Sequence, residues 1–376
     1  MTHSTVIVGF GFIGKAHYDC LTRLGIPVTG IVDHPTEQLR AFATARGLRL
    51  YSDWQEAVSD PDVQVIHNCT PNALHQVINT AAIEAGKHIF SEKPLGIDAQ
   101  ETAQQWQLAQ RSAVKHAVNF TYRGYPLVHE LRALIQQGTL GEIRFIRGHY
   151  LQDWLLFPTD YTWRLHATRE ETRAVADIGS HLVDLARFVT DLNPRSVYAS
   201  FETLYEERYY PAGEVKAFEV SEASTETYPV FTEDHATLLI DFGTAKANFE
   251  VSQVAAGHKN DLFIEVLGTR GSASWHQERP EELHLGFRDQ PKQTIVKSNL
   301  LSPVGQSFMH YPAGHPEGYP DAMSNVIRTF HASLSGGASP FATFEDGHIA
   351  AQVIEAAVQS QEAMAAVKLG QPAATP

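Results

Sequence analysis

The chain has 376 residues, 43% of them hydrophobic, and this composition is typical of a folded globular protein rather than a disordered one. The length favours two domains over a single core. The formal net charge of −14 argues against nucleic acid and anionic membranes as partners, because clusters of Lys and Arg bind those surfaces.

Cysteine usage and the N-terminal sequence indicate the compartment. Cys20 and Cys69 both lie in apolar surroundings, so we expect buried free thiols and no disulfide. The chain enters a strand-like run directly, without a cationic leader, and no apolar run reaches about 18 residues. We therefore expect a cytoplasmic protein.

The N-terminal sequence follows the pattern of a βαβ unit that binds a dinucleotide. A β-branched run over 5–8 leads into a glycine motif in which Gly9 permits a tight turn, Gly11 lets the backbone approach a pyrophosphate, and Gly14 lets helix and strand pack closely. The phosphates would bind at the start of the following helix. The motif residues that we expect to bind the cofactor are Gly9, Phe10, Gly11, Phe12, Ile13 and Gly14.

Asp33 ends the second strand-like run and bears on which dinucleotide binds. A carboxylate at this point can accept hydrogen bonds from ribose hydroxyls and repels a 2′-phosphate. His34 and Pro35 follow, and neither supplies the Arg that would bind that phosphate. NAD is therefore favoured, while His34 beside the ribose leaves NADP as the alternative. Asp33 could also be only a turn acid before Pro35.

Strand-like and helical runs alternate as far as residue 122. Further strand-like runs cover 63–69, 88–91 and 113–118, and helix-compatible stretches cover 14–24, 73–85 and 99–111. Asn72 and Asp98 are placed as helix N-caps. The alternation predicts an α/β Rossmann domain over 1–122, with a doubly wound parallel sheet that binds its ligand beyond the carboxyl ends of the strands.

The alternation of strands and helices ends in the second half, which we interpret as one α+β domain over 123–376. A helix over 125–136 is followed by many strands and few helices, which predicts a mostly antiparallel sheet. The predicted strands cover 142–150, 195–204, 235–242, 245–253, 261–267 and 282–287. Residues 205–232 are acidic, aromatic and aperiodic, as in an inserted loop or lid. A last helix is predicted over 345–367, and 370–376 are expected to be frayed.

Three side chains suit the oxidation of an alcohol, which needs a base for the hydroxyl proton and a positive group that favours the alkoxide. Lys93 follows a strand and precedes a proline, so it can bind the substrate oxygen. His181 is placed in the first turn of a helix, where the dipole favours a neutral base. Asp177 could orient that ring or bind a neighbouring hydroxyl.

Simpler interpretations of the same residues stay open. A lysine at a strand end is commonly solvated, and a histidine in a first helical turn is commonly a capping or surface residue. Asp177, His181 and Asp184 could also be metal ligands, but no second cluster has metal-ligand spacing, so no metal is expected.

The chain resembles the glucose–fructose oxidoreductase, inositol dehydrogenase and rhizopine-catabolism (Gfo/Idh/MocA) family over essentially its whole length. The motifs that carry the resemblance are the glycine motif, Thr70-Pro71-Asn72 with His75, Glu92-Lys93-Pro94, Asn119-Phe120 with Arg123, Trp163-Arg164, Asp177-x-Gly-x-His181 with Asp184, and Leu267-Gly268-Thr269-Arg270-Gly271.

The resemblance implies a C-terminal domain whose large open sheet forms homodimers or homotetramers, and chemistry on a hydroxyl of a sugar, inositol or related polyol. It implies that Lys93 and His181 are the catalytic pair, with Asp177 beside them. The residues that it implies around the cofactor are Thr70, Asn72, His75, Glu92, Lys93 and Asn119. Arg123 would lie close to the nicotinamide end or to the substrate.

Two segments indicate a subgroup that acts on sugars or anhydrosugars. One contains Asp153 and Trp154 and leads to Trp163 and Arg164, and the other is a Gly/Pro-rich loop over 310–319 that contains His315. Aromatic rings stack on sugar C–H faces while polar groups bind hydroxyls, so all five are predicted to bind substrate. The alternative for Trp154 and Tyr319 is ordinary packing.

We therefore expect an NAD-dependent dehydrogenase that oxidises a secondary hydroxyl of a sugar, anhydrosugar or inositol-type polyol, with Lys93 and His181 converging on one carbon. One alternative is a relative that holds NAD tightly and uses transient oxidation for elimination and glycoside hydrolysis. Another is a non-catalytic dinucleotide-sensing regulator, although such a protein has no use for a proton-transfer pair.

Overall fold

The computed structural model describes residues 3–166, 172–213, 223–337 and 340–370. The chain divides into a first unit of Met1–Tyr125 with Glu317–Ala351, and a second unit of Pro126–Pro316 with Gln352–Pro376. The boundary expected after residue 122 lies close to the first of these changes. The return of Glu317–Ala351 to the first unit has no counterpart in the sequence prediction.

The first unit contains a six-stranded parallel sheet, so the expected doubly wound fold is confirmed. Its strands are β1 (Thr5–Val8), β2 (Val28–Val32), β3 (Arg49–Tyr51), β4 (Val65–Asn68), β5 (His88–Ser91) and β6 (His116–Val118). Its N-terminal helices are α1 (Phe12–Arg23), α2 (Glu37–Arg46), α3 (Trp54–Ser59), α4 (His75–Glu84) and α5 (Ala99–Gln110). The strand order β3-β2-β1-β4-β5-β6 reverses between β1 and β4, which is where such sheets bind their ligands.

Both faces of this sheet are covered by apolar side chains, which explains why the strands read as continuous hydrophobic runs. Val6 and Val8 belong to one buried cluster and Ile7 to the other, because alternate residues of a strand point to opposite faces. Both cysteines are buried and free, as expected.

Some local predictions of the first unit hold and others do not. Asp98 is the N-cap of α5, where its side chain accepts a hydrogen bond from the Glu101 N–H. The prediction for Asn72 is wrong, because it lies in a 3₁₀ turn (Asn72–Leu74) and the N-cap of α4 is Leu74. Helices α2 and α3 and strand β3 were not predicted.

The second unit contains a nine-stranded sheet in the order β16-β15-β14-β13-β7-β12-β11-β8-β17, antiparallel except for the β7–β12 pair. Its strands are β7 (Ile143–Leu151), β8 (Ser196–Glu202), β11 (His235–Asp241), β12 (Lys246–Ser252), β13 (Asp261–Gly268), β14 (Gly271–His276), β15 (Glu282–Phe287), β16 (Gln290–Val296) and β17 (Val367–Lys368). Its helices are α6 (Pro126–Gln136), α7 (Ser180–Thr190) and α8 (Pro303–Ser307). The predicted open, mostly antiparallel sheet is confirmed, and β14 and β16 were missed.

The segment 205–232 is not the irregular loop that we expected. Strands β9 (Glu207–Pro211) and β10 (Ala223–Pro229) form a separate antiparallel pair, and 214–222 lie outside the described residues. A role as a lid stays a prediction. Among the described residues, no helix has both the length and the apolar character needed to cross a bilayer.

The C-terminal part contains α9 (Tyr319–Ser333) and α10 (Phe344–Ala363). Helix α10 ends earlier than the predicted 345–367, since Met364 has φ of 48° and β17 follows. Of the predicted frayed end, only residue 370 is among the described residues.

Candidate active site

The glycine motif forms a tight turn between β1 and α1. Gly9 has φ of +87°, and a Cβ there would lie 2.6 Å from the Cys69 carbonyl oxygen. A Cβ on Gly14 would lie 2.0 Å from the Gly9 carbonyl oxygen, whereas a Cβ on Gly11 would have no heavy atom within 4 Å. Gly11 is also the N-cap of α1 and brings no side chain to its first turn. The turn is therefore closed by packing at Gly9 and Gly14 and open at Gly11, which fits a pyrophosphate at the helix start.

The other residues of the motif differ in what they offer a cofactor. The Phe10 ring is buried against Tyr18 and Phe42, so its side chain serves the core. The Ile13 side chain packs against the same cluster. Phe12, in contrast, is 64% exposed at the first position of α1.

Asp33 is tied to the glycine turn. Its Oδ2 accepts a hydrogen bond from the Phe10 N–H at 2.6 Å, and its Oδ1 accepts one from the His34 N–H at 2.6 Å. A carboxylate oxygen can accept more than one hydrogen bond, so these contacts leave acceptor capacity for a ribose. The His34 side chain is exposed.

The turns after β4 and β5 are joined by His75. Its Nδ1 lies 2.6 Å from the Pro94 carbonyl oxygen and its Nε2 lies 2.8 Å from that of Thr70, while the Thr70 hydroxyl donates to Asn68. The ring is fully buried, and burial lowers the pKa of His75. Its contacts therefore hold the backbone of both turns. Contact of Asn72 with cofactor stays a prediction.

Glu92 is buried next to Lys93 and held by two side chains. Its Oε1 accepts a hydrogen bond from Asn119 Nδ2 at 2.6 Å and lies 2.9 Å from His17 Nε2. Burial raises the pKa of Glu92, but hydrogen bonds from His17 and Asn119 and the charge of Lys93 outweigh this effect, so the pKa lies below its usual value. A negative charge is thus fixed beside Lys93. The Lys93–Pro94 peptide is cis.

Sequence reasoning missed the histidines behind Glu92. His17 Nδ1 lies 2.8 Å from His67 Nδ1, and His67 Nε2 lies 3.0 Å from His331 Nε2. His17 lies in α1 only three residues after Gly14, but its local sequence gives no sign of contact with Glu92, which is 75 residues away, so only the fold could have placed it there. Arg123, which was expected near the nicotinamide end or the substrate, pairs with Asp346 at 2.9 Å (Nη2 to Oδ1) in the first turn of α10. Its contact with either ligand stays a prediction.

In the second unit, His181 is the second residue of α7, within its first turn as expected. The positive end of the helix dipole, however, does not lie beside it. A π-helical turn (Val175–Gly179) precedes α7, so the helical segment begins a turn and a half earlier. The Glu233 carboxylate occupies its start and accepts hydrogen bonds from the N–H groups of Val175 (2.8 Å) and Arg173 (3.1 Å). An anion there opposes the positive end of the dipole.

Asp177, Arg164 and Trp163 lie together. Asp177 Oδ1 is 3.8 Å from Arg164 Nε, and the Arg164 guanidinium carbon lies 4.5 Å from the centre of the Trp163 ring, which is 49% exposed. Asp177 Oδ2 accepts a hydrogen bond from Gln253 Nε2 at 2.9 Å. Gln253 was not predicted, because its sequence context is an ordinary strand end. Asp184 is buried, and within the described part of the chain no group of His, Cys, Asp and Glu side chains has the arrangement of a metal site.

The remaining predicted substrate residues make other contacts. Asp153 Oδ2 accepts hydrogen bonds from Lys259 Nζ (2.7 Å) and the Gly257 N–H. Trp154 is partly buried and donates to Gln152, which agrees with the packing interpretation. His315 is exposed, and its carbonyl oxygen accepts from Lys297 Nζ at 2.7 Å. Tyr319, the first residue of α9, packs against the core of the first unit.

A Rossmann sheet with an open glycine turn at its first helix is typical of a domain that binds a dinucleotide, as in nicotinamide-dependent oxidoreductases. Comparison with known proteins agrees. Residues 3–120 match an oxidoreductase family with an NAD-binding Rossmann fold, and residues 128–274 match the GFO/IDH/MocA C-terminal domain. The chain therefore belongs to the Gfo/Idh/MocA oxidoreductase family, and its first unit is an NAD-binding domain.

Three relatives illustrate the similarity. Levoglucosan dehydrogenase of Pseudarthrobacter phenanthrenivorans is 31% identical over 371 residues, which cover 94% of this chain and 95% of that protein. Glucose-6-phosphate 3-dehydrogenase of Bacillus subtilis is 25% identical over 358 residues, or 93% of each protein. A solved structure of levoglucosan dehydrogenase in complex with NADH and levoglucosan is 29% identical with a TM-score of 0.88, covering 99% of this chain and 100% of that one.

Proposed function

We propose that the protein is an NAD-dependent dehydrogenase that oxidises a secondary hydroxyl of a sugar, anhydrosugar or inositol-type polyol. The observation that carries the substrate class is the group formed by Asp177, Arg164 and the half-exposed ring of Trp163. An aromatic face beside a carboxylate and a guanidinium is the combination that binds the C–H faces and hydroxyls of a sugar. The similarity to levoglucosan dehydrogenase along nearly the whole chain supports the same class.

The chemistry divides among three side chains. His181 accepts the hydroxyl proton, Lys93 stabilises the developing alkoxide, and Asp177 binds a neighbouring hydroxyl or orients the histidine. NAD, when bound, supplies the acceptor of the hydride. The glycine motif would hold its pyrophosphate and Asp33 its ribose, while Thr70, Asn72 and Asn119 would lie towards the nicotinamide.

We also propose that the nine-stranded sheet forms a homodimer or homotetramer through its open face. Leu239 and Tyr198 are paired and exposed on the neighbouring strands β11 and β8, and Phe145 is exposed on β7, with β12 between. Apolar side chains clustered on a sheet face are typical of an interaction surface. Light scattering at micromolar concentration measures the assembly, and a monomer would contradict the proposal.

A spectrophotometric screen tests the function. NADH formation is measured with inositols, aldoses and anhydrosugars as substrates, in parallel with NADP as the oxidant. We expect turnover with NAD on at least one class of cyclic polyol. Purified protein that carries stoichiometric NAD and reduces no added cofactor with any substrate would contradict the proposal and favour the elimination or hydrolysis alternative.

A further inference from the structure

Gln253 links Asp177 to a buried arginine. The Gln253 side chain is fully buried, its Nε2 donates to Asp177 Oδ2 at 2.9 Å, and its Oε1 accepts from Arg173 Nη1 at 2.6 Å. Its backbone N–H donates to the Asp234 carbonyl oxygen at 3.0 Å, just beyond the end of β12. Both ends of the amide are thus engaged.

The polarity of this link is fixed by chemistry. A guanidinium can only donate hydrogen bonds, so the amide oxygen must face Arg173 and the amide NH₂ must face Asp177. Turning the amide over would place two donors against each other at Arg173. The group opposite the NH₂ must therefore be an acceptor, which an ionised carboxylate supplies at Asp177.

Arg173 itself is held on several sides. Its Nη2 and that of Arg208 both donate to Asp234 Oδ1, and the three side chains are fully buried. Glu233 accepts from the Arg173 N–H, so two carboxylates balance two guanidinium charges in this cluster. Displacing any member of a balanced, buried charge cluster would leave an uncompensated charge, which is costly, so such a cluster resists rearrangement.

We propose that Gln253 is a positioning residue that transmits the rigidity of the Arg173–Asp234 cluster to the Asp177 carboxylate. Gln253 holds Oδ2, and because a carboxylate oxygen can accept more than one hydrogen bond, Oδ1, on the side of Arg164, can bind a substrate hydroxyl. This inference rests on the proposed function of Asp177. It specifies a substrate that carries a hydroxyl next to the carbon that is oxidised.

The first test is Gln253→Glu. The new carboxylate can still accept from Arg173 but faces Asp177 with a like charge, which displaces Asp177 or forces one of the two groups to take up a proton. We expect kcat/KM for the polyol to fall about tenfold or more and the acid side of its pH profile to move to higher pH, while the affinity for NAD changes less than about twofold. Discrimination against a deoxy analogue that lacks the neighbouring hydroxyl should weaken by a similar factor.

The second test reverses the polarity of the link. Asp177→Asn combined with Gln253→Glu supplies an amide donor opposite the new acceptor. The double variant should therefore recover the stability lost in Gln253→Glu, measured as the urea midpoint of unfolding, although activity stays low. Gln105→Glu is the matched control, since Gln105 is a fully buried amide of the first unit that donates to the Leu95 carbonyl oxygen. It should lose stability without a change in pH profile or in discrimination.

The outcomes separate this inference from the proposed function. Unchanged pH profile and discrimination in Gln253→Glu, with activity reduced only as far as the folded fraction, would overturn a positioning role. If Gln253→Glu does not fold and the double variant does not recover folding, the link is also refuted. Full activity of Asp177→Asn alone would instead refute the role given to Asp177, whatever the stability of the double variant.

Discussion

The backbone N–H of Phe10 donates to Asp33 Oδ2 at 2.6 Å, so the acid at the end of β2 and the turn after β1 are one connected structure. The carboxylate that is expected to recognise the ribose therefore also braces the pyrophosphate turn.

Asp33→Asn should consequently affect both the choice of cofactor and the turn. An amide accepts more weakly and no longer repels a 2′-phosphate, so we expect KM for NAD to rise about tenfold and the preference for NAD over NADP to shrink by a similar factor. The loss of a charged acceptor should cost about 1–2 kcal/mol of stability. Steady-state kinetics with both cofactors and urea unfolding measure the two effects.

The control for this variant is Asp53→Asn. Asp53 also accepts a backbone N–H, that of Glu56, as the N-cap of α3 in the same unit. Cofactor preference should stay unchanged there. An Asp33→Asn enzyme with the wild-type preference would show that Asp33 is only a brace for the turn.

Lys93→Ala and His181→Ala should each reduce turnover by on the order of a hundredfold or more, because each removes one partner of the proton transfer and charge stabilisation. The affinity for NAD, measured by fluorescence titration, should change little. Lys115→Ala, which removes an exposed lysine before β6, is the control and should keep normal turnover. Normal turnover in both active-site variants would refute the assignment.

Histidine burial predicts how stability depends on pH. Burial lowers the pKa of His116 to about 4, whereas a histidine in an unfolded chain titrates near 6.5. Between these values the unfolded chain binds more protons than the folded chain, so stability is complete above pH 6.5 and falls as the pH is lowered towards 4. His331, with a pKa lowered by burial to about 3, and the fully buried His67 act in the same direction.

His116→Gln isolates one of these groups. The His116 Nδ1 accepts the Phe344 N–H at 3.1 Å, and a glutamine oxygen can replace that acceptor without titrating. Urea unfolding at several pH values gives the slope of the free energy of unfolding against pH. In His116→Gln this slope should be smaller by up to about 1.4 kcal/mol per pH unit. His284, whose side chain is 43% exposed, provides the control, and His284→Gln should leave this pH dependence as it is. A slope unaltered by His116→Gln would mean that this ring does not titrate on unfolding.

The sequence predicts those parts of the fold and site whose cause is local. Strand β1 reads as a continuous apolar run because both of its faces are covered, and Asp98 is a recognisable cap because its partner is three residues away. Helix α9 was missed although Met323, Val326, Ile327 and Phe330 follow helical spacing and join the core of the first unit. The helical spacing is present in the sequence, but the Gly/Pro-rich loop that precedes it favours an irregular binding segment.

The non-local parts of the site could not be predicted in this way. Glu233 caps the helical segment before His181 from 58 residues away, and Gln253 reaches Asp177 across 76 residues. His75 matches a cofactor motif, yet both of its ring nitrogens contact backbone carbonyl oxygens. In each case the residue type is ordinary for its local context, and only the tertiary partner gives it a role.

Trp163→Ala tests whether carbohydrate stacks on this ring. The ring is half exposed beneath the Arg164 guanidinium. Removing it should therefore weaken the binding of the substrate and of the transition state by the same amount. We expect KM for the sugar or polyol to rise about tenfold with kcat nearly unchanged, and the loss should be smaller with Trp163→Phe, which keeps an aromatic face. Leu300→Ala, at a side chain that is 94% exposed, should leave KM unaffected. A fall in kcat with constant KM would place Trp163 in the chemical step instead, and unchanged kinetics would remove it from the substrate site.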